Sequence, residues 1–192
     1  QCSGFGTGGA VWTGGILLSR VLEYRKNELV KGRRILELGS GCGLGGMVCA
    51  MSGAKKVVMT DLKSVIPLTR GNLARNHREI QRGGCEIEVA ELEWGVTDLK
   101  HFTSQRFDLI IASEVIYENI HSDLLVDVLR KLLSNDSVRA IVSYDLRGRV
   151  GVKRFLKTIP SIFAVNKIDE SLWPESIRGF PYFGVIELSK KK

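Results

Sequence analysis

The sequence lacks several features that would assign it to large classes of protein. It has no apolar run of the roughly 18 residues that a membrane-spanning helix needs, and no secretory signal peptide. Its four cysteines form no Cys-x-x-Cys pair and have no histidine partners at zinc-binding spacing, so we expect no metal site. We expect a soluble, non-secreted protein with reduced thiols, located in the cytosol, with the nucleus as an alternative.

Length and composition indicate one globular domain. The chain has 192 residues, of which 44% are hydrophobic, which is enough to bury a sizeable core. We expect residues 1–192 to form that single domain. We expect an N-terminal segment and helix over residues 1–33 and the main domain over 34–192. There is no N-terminal methionine and the chain opens in a glycine-rich stretch, so we expect native sequence upstream.

The formal net charge of +7 indicates little about partners. Three of the positive charges are the lysines at positions 190–192, and the others are scattered along the chain. A solvated surface explains most of this charge, and an acidic partner protein explains it as well as a nucleic acid does. Nothing in the sequence indicates an assembly larger than a monomer.

Strand-like apolar runs alternate with helical segments. The first five predicted strands begin at Arg34, Val57, Glu86, Phe107 and Arg139. This rhythm predicts a parallel sheet, and nearly continuous apolar runs predict helices on both faces. Ile162–Ile168 and Tyr182–Leu188 follow as an antiparallel pair, because the connection from Trp173 to Pro181 has no room for a crossover helix. The predicted fold is therefore α/β, with seven mostly parallel strands and an antiparallel last strand.

Helical periodicity and capping residues predict the helices between these strands. The predicted helices are Ile16 to about Asn27, a helix capped by Ser64 that ends near His77, one capped by Ser122 that ends at Leu133, and Lys153 to Thr158.

A glycine-rich turn follows the first predicted strand. Gly39, Gly41 and Gly43 come directly after an apolar run that contains Glu37. Such a turn between a buried strand and a helix presents free N–H groups to a ligand. No Gly-Lys-Ser/Thr follows the glycines, which excludes a phosphate-binding P-loop. The turn therefore predicts a site for a nucleotide-type cofactor.

Two cofactors are compatible with the glycine spacing. Gly41-x-Gly43-x-x-Gly46 fits the dinucleotide fingerprint, and Asp61 lies about 20 residues further on, where an acid binds ribose hydroxyls. Glu37 favours S-adenosylmethionine, because a carboxylate attracts its ammonium group and would repel a pyrophosphate. The antiparallel last pair of strands also favours this cofactor over NAD.

Other candidates follow the ends of the third and fourth strands and precede the first helix. Trp94 is placed to stack on adenine, with an ordinary core position as the alternative. Glu114 and Tyr117 would flank the methyl group, with a simple helix start as the alternative. The segment Gly8–Gly15 around Trp12 could cover the cofactor as a lid, or be a flexible leader.

Taken in order, these motifs resemble those of methyltransferase family 16, the seven-β-strand protein-lysine methyltransferases. The resemblance is strongest from about residue 8 to residue 120. It implies transfer of a methyl group from S-adenosylmethionine, with S-adenosylhomocysteine as product, to a lysine of a protein. The cofactor contacts that it implies are those of Trp12, Glu37, Gly39, Asp61, Trp94 and Ser113. Glu114 and Tyr117 would shape the lysine entrance, and Glu is the less common acid in that motif.

Several alternatives remain open at this point. The sequence has neither an Asn/Asp-Pro-Pro-Tyr/Phe motif nor a Pro-Cys motif, which disfavours methylation of nucleic acid. A small-molecule substrate or a non-catalytic domain of the same fold is also compatible with the pattern. An NAD oxidoreductase is disfavoured because no Tyr-x-x-x-Lys pair occurs. The target protein, the number of methyl groups, and histidine or arginine as acceptor stay open.

Overall fold

Seven strands form a single sheet in the computed structural model, which describes residues 6–173, 175, 178–179 and 182–191. The strands are β1 Arg34–Leu38, β2 Lys56–Asp61, β3 Glu86–Glu91, β4 Leu109–Ser113, β5 Arg139–Asp145, β6 Phe163–Lys167 and β7 Phe183–Lys190. Their order across the sheet is β3-β2-β1-β4-β5-β7-β6. The first five strands pair in parallel, and β7 pairs antiparallel with both β5 and β6.

This topology confirms the predicted α/β fold with an antiparallel last strand. β7 is inserted between β5 and β6 rather than added at the edge of the sheet. The predicted connection before β7 includes Pro174, Phe180 and Pro181, which lie outside the described residues.

Eight α-helices are present in the described part of the chain. They are α1 Thr13–Tyr24, α2 Lys26–Leu29, α3 Leu44–Met51, α4 Ile66–Arg75, α5 His77–Gln81, α6 Lys100–Thr103, α7 Asn119–Leu132 and α8 Val150–Thr158. The first predicted helix is thus divided at Arg25, and the helix predicted to end near His77 ends at Arg75.

The two predicted caps are wrong. Val65 precedes α4, so Ser64 is not its cap. Glu118 precedes α7, and its side chain accepts a hydrogen bond from the backbone of His121, whose ring in turn accepts one from the Glu118 N–H. Because this reciprocal pair satisfies the free N–H groups at the helix start, Ser122 lies inside the first turn instead of capping it.

Helices cover both faces of the sheet, as the continuously apolar strands predicted. Alternate residues of β1 and β4 point to opposite faces, since side chains alternate along a strand. Leu36 and Ile110 join a core with α6, α7 and α8, whereas Ile35 and Ile111 join a second core with α1, α2 and α3. Cys49 is buried in the second core, as predicted.

No helix in the described ranges is long and apolar enough to cross a membrane. Over the same residues, no three His, Cys, Asp or Glu side chains are grouped so that they could hold a metal ion.

Candidate active site

A cavity of about 730 Å³ opens at the carboxyl ends of β1, β2 and β4. This is the edge where open α/β sheets bind ligands. The segment before α1 and the start of α7 supply its other walls. Seven predicted cofactor-binding residues and one predicted catalytic residue line it, namely Trp12, Glu37, Gly39, Gly41, Asp61, Trp94, Ser113 and Tyr117.

The turn after β1 needs glycine for two reasons. Gly39 and Gly41 have φ values of 68° and 51°, which side chains disfavour. A Cβ at Gly39 would also lie 2.6 Å from Val115 Cγ1, and one at Gly41 would lie 3.2 Å from the carbonyl oxygen of Gly8. The backbone therefore passes close to the residues that follow β4 on one side and to the N-terminal segment on the other.

Gly43 does not line the cavity, although it was predicted to bind the cofactor. It is the residue before α3, with φ 81°, and a Cβ there would meet Thr69 and Met59 instead. The turn into α3 requires this positive φ, which explains why the residue is glycine.

Glu37 is a buried carboxyl group that lines the cavity. Its Oε2 accepts a hydrogen bond of 3.0 Å from the backbone N–H of Gly46, in the first turn of α3. Burial raises the pKa of Glu37 to about 8, more than this hydrogen bond lowers it, and Asp61 adds to the rise. No cation within the described residues pairs with it, so a positively charged ligand group would be favoured here.

Asp61 ends β2 and stabilises the glycine turn. Its two carboxylate oxygens accept hydrogen bonds from the backbone N–H groups of Gly41 and Leu62, both at 2.7 Å. Burial raises the pKa of this carboxyl, and the two hydrogen bonds oppose the rise. Asp61 thus joins the ends of β1 and β2 while it lines the cavity.

Trp94 occupies the core position that was one of its two interpretations, and its stacking on adenine stays a prediction. It packs against the core on the α7 face of the sheet, and it also lines the cavity. Ser113 is the last residue of β4 and lines the cavity beside it.

Glu114 lies beneath the start of α1 and does not line the cavity. Its carboxylate accepts a hydrogen bond from the N–H of Gly14, and the guanidinium of Arg149 lies 3.6 Å away. Burial raises the pKa of Glu114, which these two contacts partly offset. Its φ of 49° is rare for a residue with a side chain, and such strain concentrates at functional sites.

Tyr117 forms one wall of the cavity and contacts two side chains. Its ring lies edge-on to His121, with the ring centroids 5.5 Å apart, and the Arg149 guanidinium lies 4.9 Å from its centroid. Arg149 also lies 5.7 Å from the ring centroid of Trp12. Neither His121 nor Arg149 was predicted from the sequence. A basic residue in the loop after a strand end is the only signal that could have indicated Arg149.

The strand order, the glycine turn after β1 and the acid that ends β2 define the class I methyltransferase fold. Solved structures support this fold. A ribosomal protein L11 methylase from Lactobacillus delbrueckii subsp. bulgaricus is 18% identical, with a TM-score of 0.58, covering 90% of this chain and 78% of the other. The glycopeptide N-methyltransferase MtfA in complex with S-adenosylhomocysteine is 13% identical, with a TM-score of 0.61, covering 91% and 90%.

Within this class, the chain belongs to the lysine methyltransferase family, whose sequence model matches residues 1–162. Protein N-lysine methyltransferase METTL21A of Mus musculus is 36% identical over 85% of this chain and 72% of the relative. The Danio rerio protein of the same name is 32% identical over the same shares. Calmodulin-lysine N-methyltransferase of Arabidopsis thaliana is 31% identical over 76% of this chain and 49% of its own.

Proposed function

We propose that this lysine methyltransferase binds S-adenosylmethionine in the cavity and methylates a lysine side chain of a protein substrate that docks over Trp12 and Tyr117. The observation that carries the proposal is the meeting of Glu37 and Asp61 with the glycine turn at one edge of the sheet. We further propose that the enzyme works as a single-domain monomer, in the cytosol or in the nucleus.

The cavity is lined by two acids and an aromatic ring that suit the chemical groups of this cofactor. Burial raises the pKa of Glu37, and the ammonium group that the cofactor carries would favour the ionised form of this acid. Asp61 offers carboxylate oxygens suited to ribose hydroxyls. Trp94 offers a flat apolar ring to adenine. A volume of about 730 Å³ falls within the range of sites for ligands of this size.

When bound, the cofactor supplies a sulfonium-activated methyl group to an attacking amine. The protein has to hold that amine in line and allow it to lose its proton. An unperturbed lysine has a pKa of about 10.4, and transfer from water to an apolar wall lowers that pKa. Trp12 and Tyr117 would provide this wall, because their rings line the cavity. Alignment of the reacting groups supplies much of the acceleration in such reactions.

Glu114 would act as an orienting group rather than as a strong base. Its carboxylate is held by Gly14 and lies near Arg149, so it is fixed in position before a substrate arrives. A carboxylate at this point attracts a lysine ammonium during docking and opposes its deprotonation afterwards. These two effects argue for binding and orientation as its main contribution.

The proposal is tested by incubating the protein with S-adenosylmethionine labelled in its methyl group and with cell extract, followed by treatment with protease or nuclease. We expect the label to be lost with protease and to survive nuclease. Hydrolysis of the labelled band to amino acids should then yield methyllysine. The matched control is Asp61→Asn, which should strongly reduce labelling because it removes the carboxylate proposed to bind ribose.

Three outcomes would contradict the proposal. Label that is lost with nuclease would indicate a nucleic-acid substrate, and label in small solutes would indicate a metabolite. Label recovered as methylhistidine or methylarginine would change the acceptor. Calorimetry with S-adenosylhomocysteine and with NAD checks the cofactor separately, and binding of NAD alone would refute its assignment.

A further inference from the structure

Arg149 places a positive charge between two aromatic rings at the proposed substrate entrance. Its guanidinium lies 5.7 Å from the ring centroid of Trp12 and 4.9 Å from that of Tyr117. The carboxylate of Glu114 is 3.6 Å away. Only 16% of the Arg149 side chain is exposed, and only 2% of that of Glu114. Two rings and a carboxylate thus surround one cation.

This cation position adjoins the cavity. Trp12 and Tyr117 both line the cavity and both contact the Arg149 guanidinium. A lysine side chain that reaches the cavity past these rings would therefore meet the groups that Arg149 now contacts. An ammonium group is attracted by the faces of aromatic rings and by a carboxylate for the same reasons as a guanidinium.

Arg149 is held in a way that permits displacement. Its 3.6 Å separation from Glu114 exceeds a hydrogen-bond distance, and in the described part of the structure its guanidinium donates no hydrogen bond. Arg147, two residues earlier, differs in this respect. Its guanidinium donates three hydrogen bonds to the carboxylate of Asp145, at 2.9 to 3.1 Å. Geometry of that kind fixes a side chain, whereas Coulomb and ring contacts alone allow exchange.

The position of Arg149 in the chain also permits movement. It is the residue before α8, with extended backbone, and it follows Gly148. Gly148 has a φ of 62°, and a Cβ at that residue would meet no atom within 4 Å. The guanidinium can leave the two rings by rotation about its own side-chain bonds, without a change in α8.

We propose that Arg149 occupies the cation site of the substrate lysine and that the incoming lysine displaces it, which makes Arg149 a specificity-determining residue. The inference rests on the proposed lysine entrance. Simple amines compete poorly with a tethered cation, because the free protein is mostly in the occupied state. A protein substrate that gains contacts elsewhere on the surface can displace the guanidinium, so the enzyme discriminates against free lysine and small amines.

The test is performed without cofactor, on protein labelled with ¹⁵N. n-Butylammonium chloride is titrated into the wild type and into Arg149→Gln, and the indole N–H signal of Trp12 is followed. This signal is assigned among the three tryptophans with a Trp12→Phe variant. We expect a saturable shift in Arg149→Gln with an apparent Kd about tenfold below that of the wild type, since the competent fraction rises. n-Butanol and sodium chloride serve as the neutral and ionic references.

Two further variants provide matched controls. Arg149→Lys keeps a cation in the site, so it should respond as weakly as the wild type. Arg154→Gln removes the same charge from α8, the helix that follows Arg149, where Arg154 pairs with Asp123, and it should also respond as the wild type does. Thermal unfolding confirms that each variant is folded. If Arg149→Gln does not fold, Arg149→Lys still tests the inference, because this variant must exclude the probe for the inference to hold.

The inference is overturned if the wild type binds n-butylammonium as well as Arg149→Gln does. It is also overturned if folded Arg149→Gln gives no saturable shift, or if Arg149→Lys binds the probe readily. Failure of the proposed function is detected separately, since the extract experiment uses the wild type with cofactor. An enzyme that labels lysines while Arg149→Gln stays closed to the probe would retain the function and lose the inference.

Discussion

Burial disfavours the ionised form of Glu37, so this residue lowers the stability of the cofactor-free protein when it is ionised. A bound cation would offset that cost. In the unfolded chain its carboxyl has the ordinary pKa of 4.5, and in the folded protein burial raises the pKa to about 8. Between these values the folded protein holds a proton that the unfolded chain has lost. The stabilising contribution of Glu37 is therefore complete below about pH 4.5 and is lost as the pH rises through 8.

The first prediction compares the wild type with Glu37→Gln, whose amide oxygen can still accept the hydrogen bond from Gly46. Without cofactor, the free energy of unfolding of the wild type should fall relative to the variant by about 1.4 kcal/mol per pH unit inside that window. Urea unfolding of both proteins at several pH values measures the difference. A difference that does not change with pH would show that Glu37 titrates normally.

The second prediction concerns Asp61. Asp61→Asn should weaken binding of S-adenosylhomocysteine by about 100-fold, on the order of 3 kcal/mol, because charge-assisted hydrogen bonds are lost and the glycine turn loses its charged acceptor. The control is Glu91→Gln, which removes the same charge from the neighbouring position of β3. Calorimetry gives both affinities. Equal losses in the two variants would assign the effect to general electrostatics.

The sequence predicted these two acids because each is local to a recognisable turn. The glycines mark the end of β1, and Asp61 follows at a spacing set by one crossover helix. The contacts of Glu114 could not be predicted in this way, because the hydrogen bond from Gly14 joins residues 100 positions apart. The contact of Arg149 with Trp12 likewise joins two residues that are far apart in sequence, one before α1 and the other after β5.

At the scale of elements, hydrogen bonds hold the start of α1 to a residue of β5 and to the residue that follows β4. The Gly14 N–H donates to the carboxylate of Glu114 after β4, and the Gly14 carbonyl accepts from the hydroxyl of Ser143 in β5. A Cβ at Gly14 would lie 2.6 Å from the Cγ of Glu114, whereas a Cβ at Gly15 would lie 3.6 Å from the Ser113 hydroxyl. A methyl group would therefore clash with Glu114 at Gly14, whereas it would fit at Gly15.

The third prediction uses this pair. Gly14→Ala should lower the free energy of unfolding by about 1 to 3 kcal/mol, because the new methyl group displaces Glu114. Gly15→Ala should be neutral or stabilising by up to about 1 kcal/mol, since alanine favours a helix over glycine. Urea unfolding of both variants tests this. If Gly14→Ala proved as stable as Gly15→Ala, Glu114 would not be fixed against the helix start.

The bounds of strands were predicted more accurately than the starts of helices. Strand β1 was predicted at its observed bounds, because its apolar run ends in glycine. Helix starts were less accurate. Ser122 is a favoured capping residue by type, yet Glu118, four residues earlier along the chain, already caps α7 together with His121. Residue type alone does not contain the reciprocal hydrogen bonds of Glu118 and His121, which fix where the helix begins.

At the scale of the whole molecule, the cavity lies between two parts of the chain that are distant in sequence. Residues 8–15 cover one side, and the carboxyl ends of the strands form the other. Contact between them includes the Cys42 thiol, whose sulfur lies 3.5 Å from the Gly8 carbonyl oxygen. A ligand in the cavity would touch both parts and should stabilise them together.

The fourth prediction follows from this arrangement. S-adenosylhomocysteine should slow hydrogen exchange in peptides that cover residues 8–15 and 37–46, and should leave β6 unchanged where exchange occurs by local opening. At 100 times the Kd the slowing should approach about 100-fold for amides whose opening requires release of the ligand. Mass spectrometry of deuterated peptides measures it. Protection confined to residues 37–46 would contradict a covering role for the N-terminal segment.

The position of β7 between β5 and β6 has a consequence for biosynthesis. A nascent polypeptide that has left the ribosome only as far as β6 holds every residue of the cavity but leaves one edge of β5 without hydrogen-bond partners. Open strand edges recruit other strands, so such an intermediate is prone to aggregate and is a natural client for molecular chaperones. Release of residues 183–190 from the ribosome lets β7 close that edge, and we expect catalytic competence to be acquired at that moment rather than gradually during elongation.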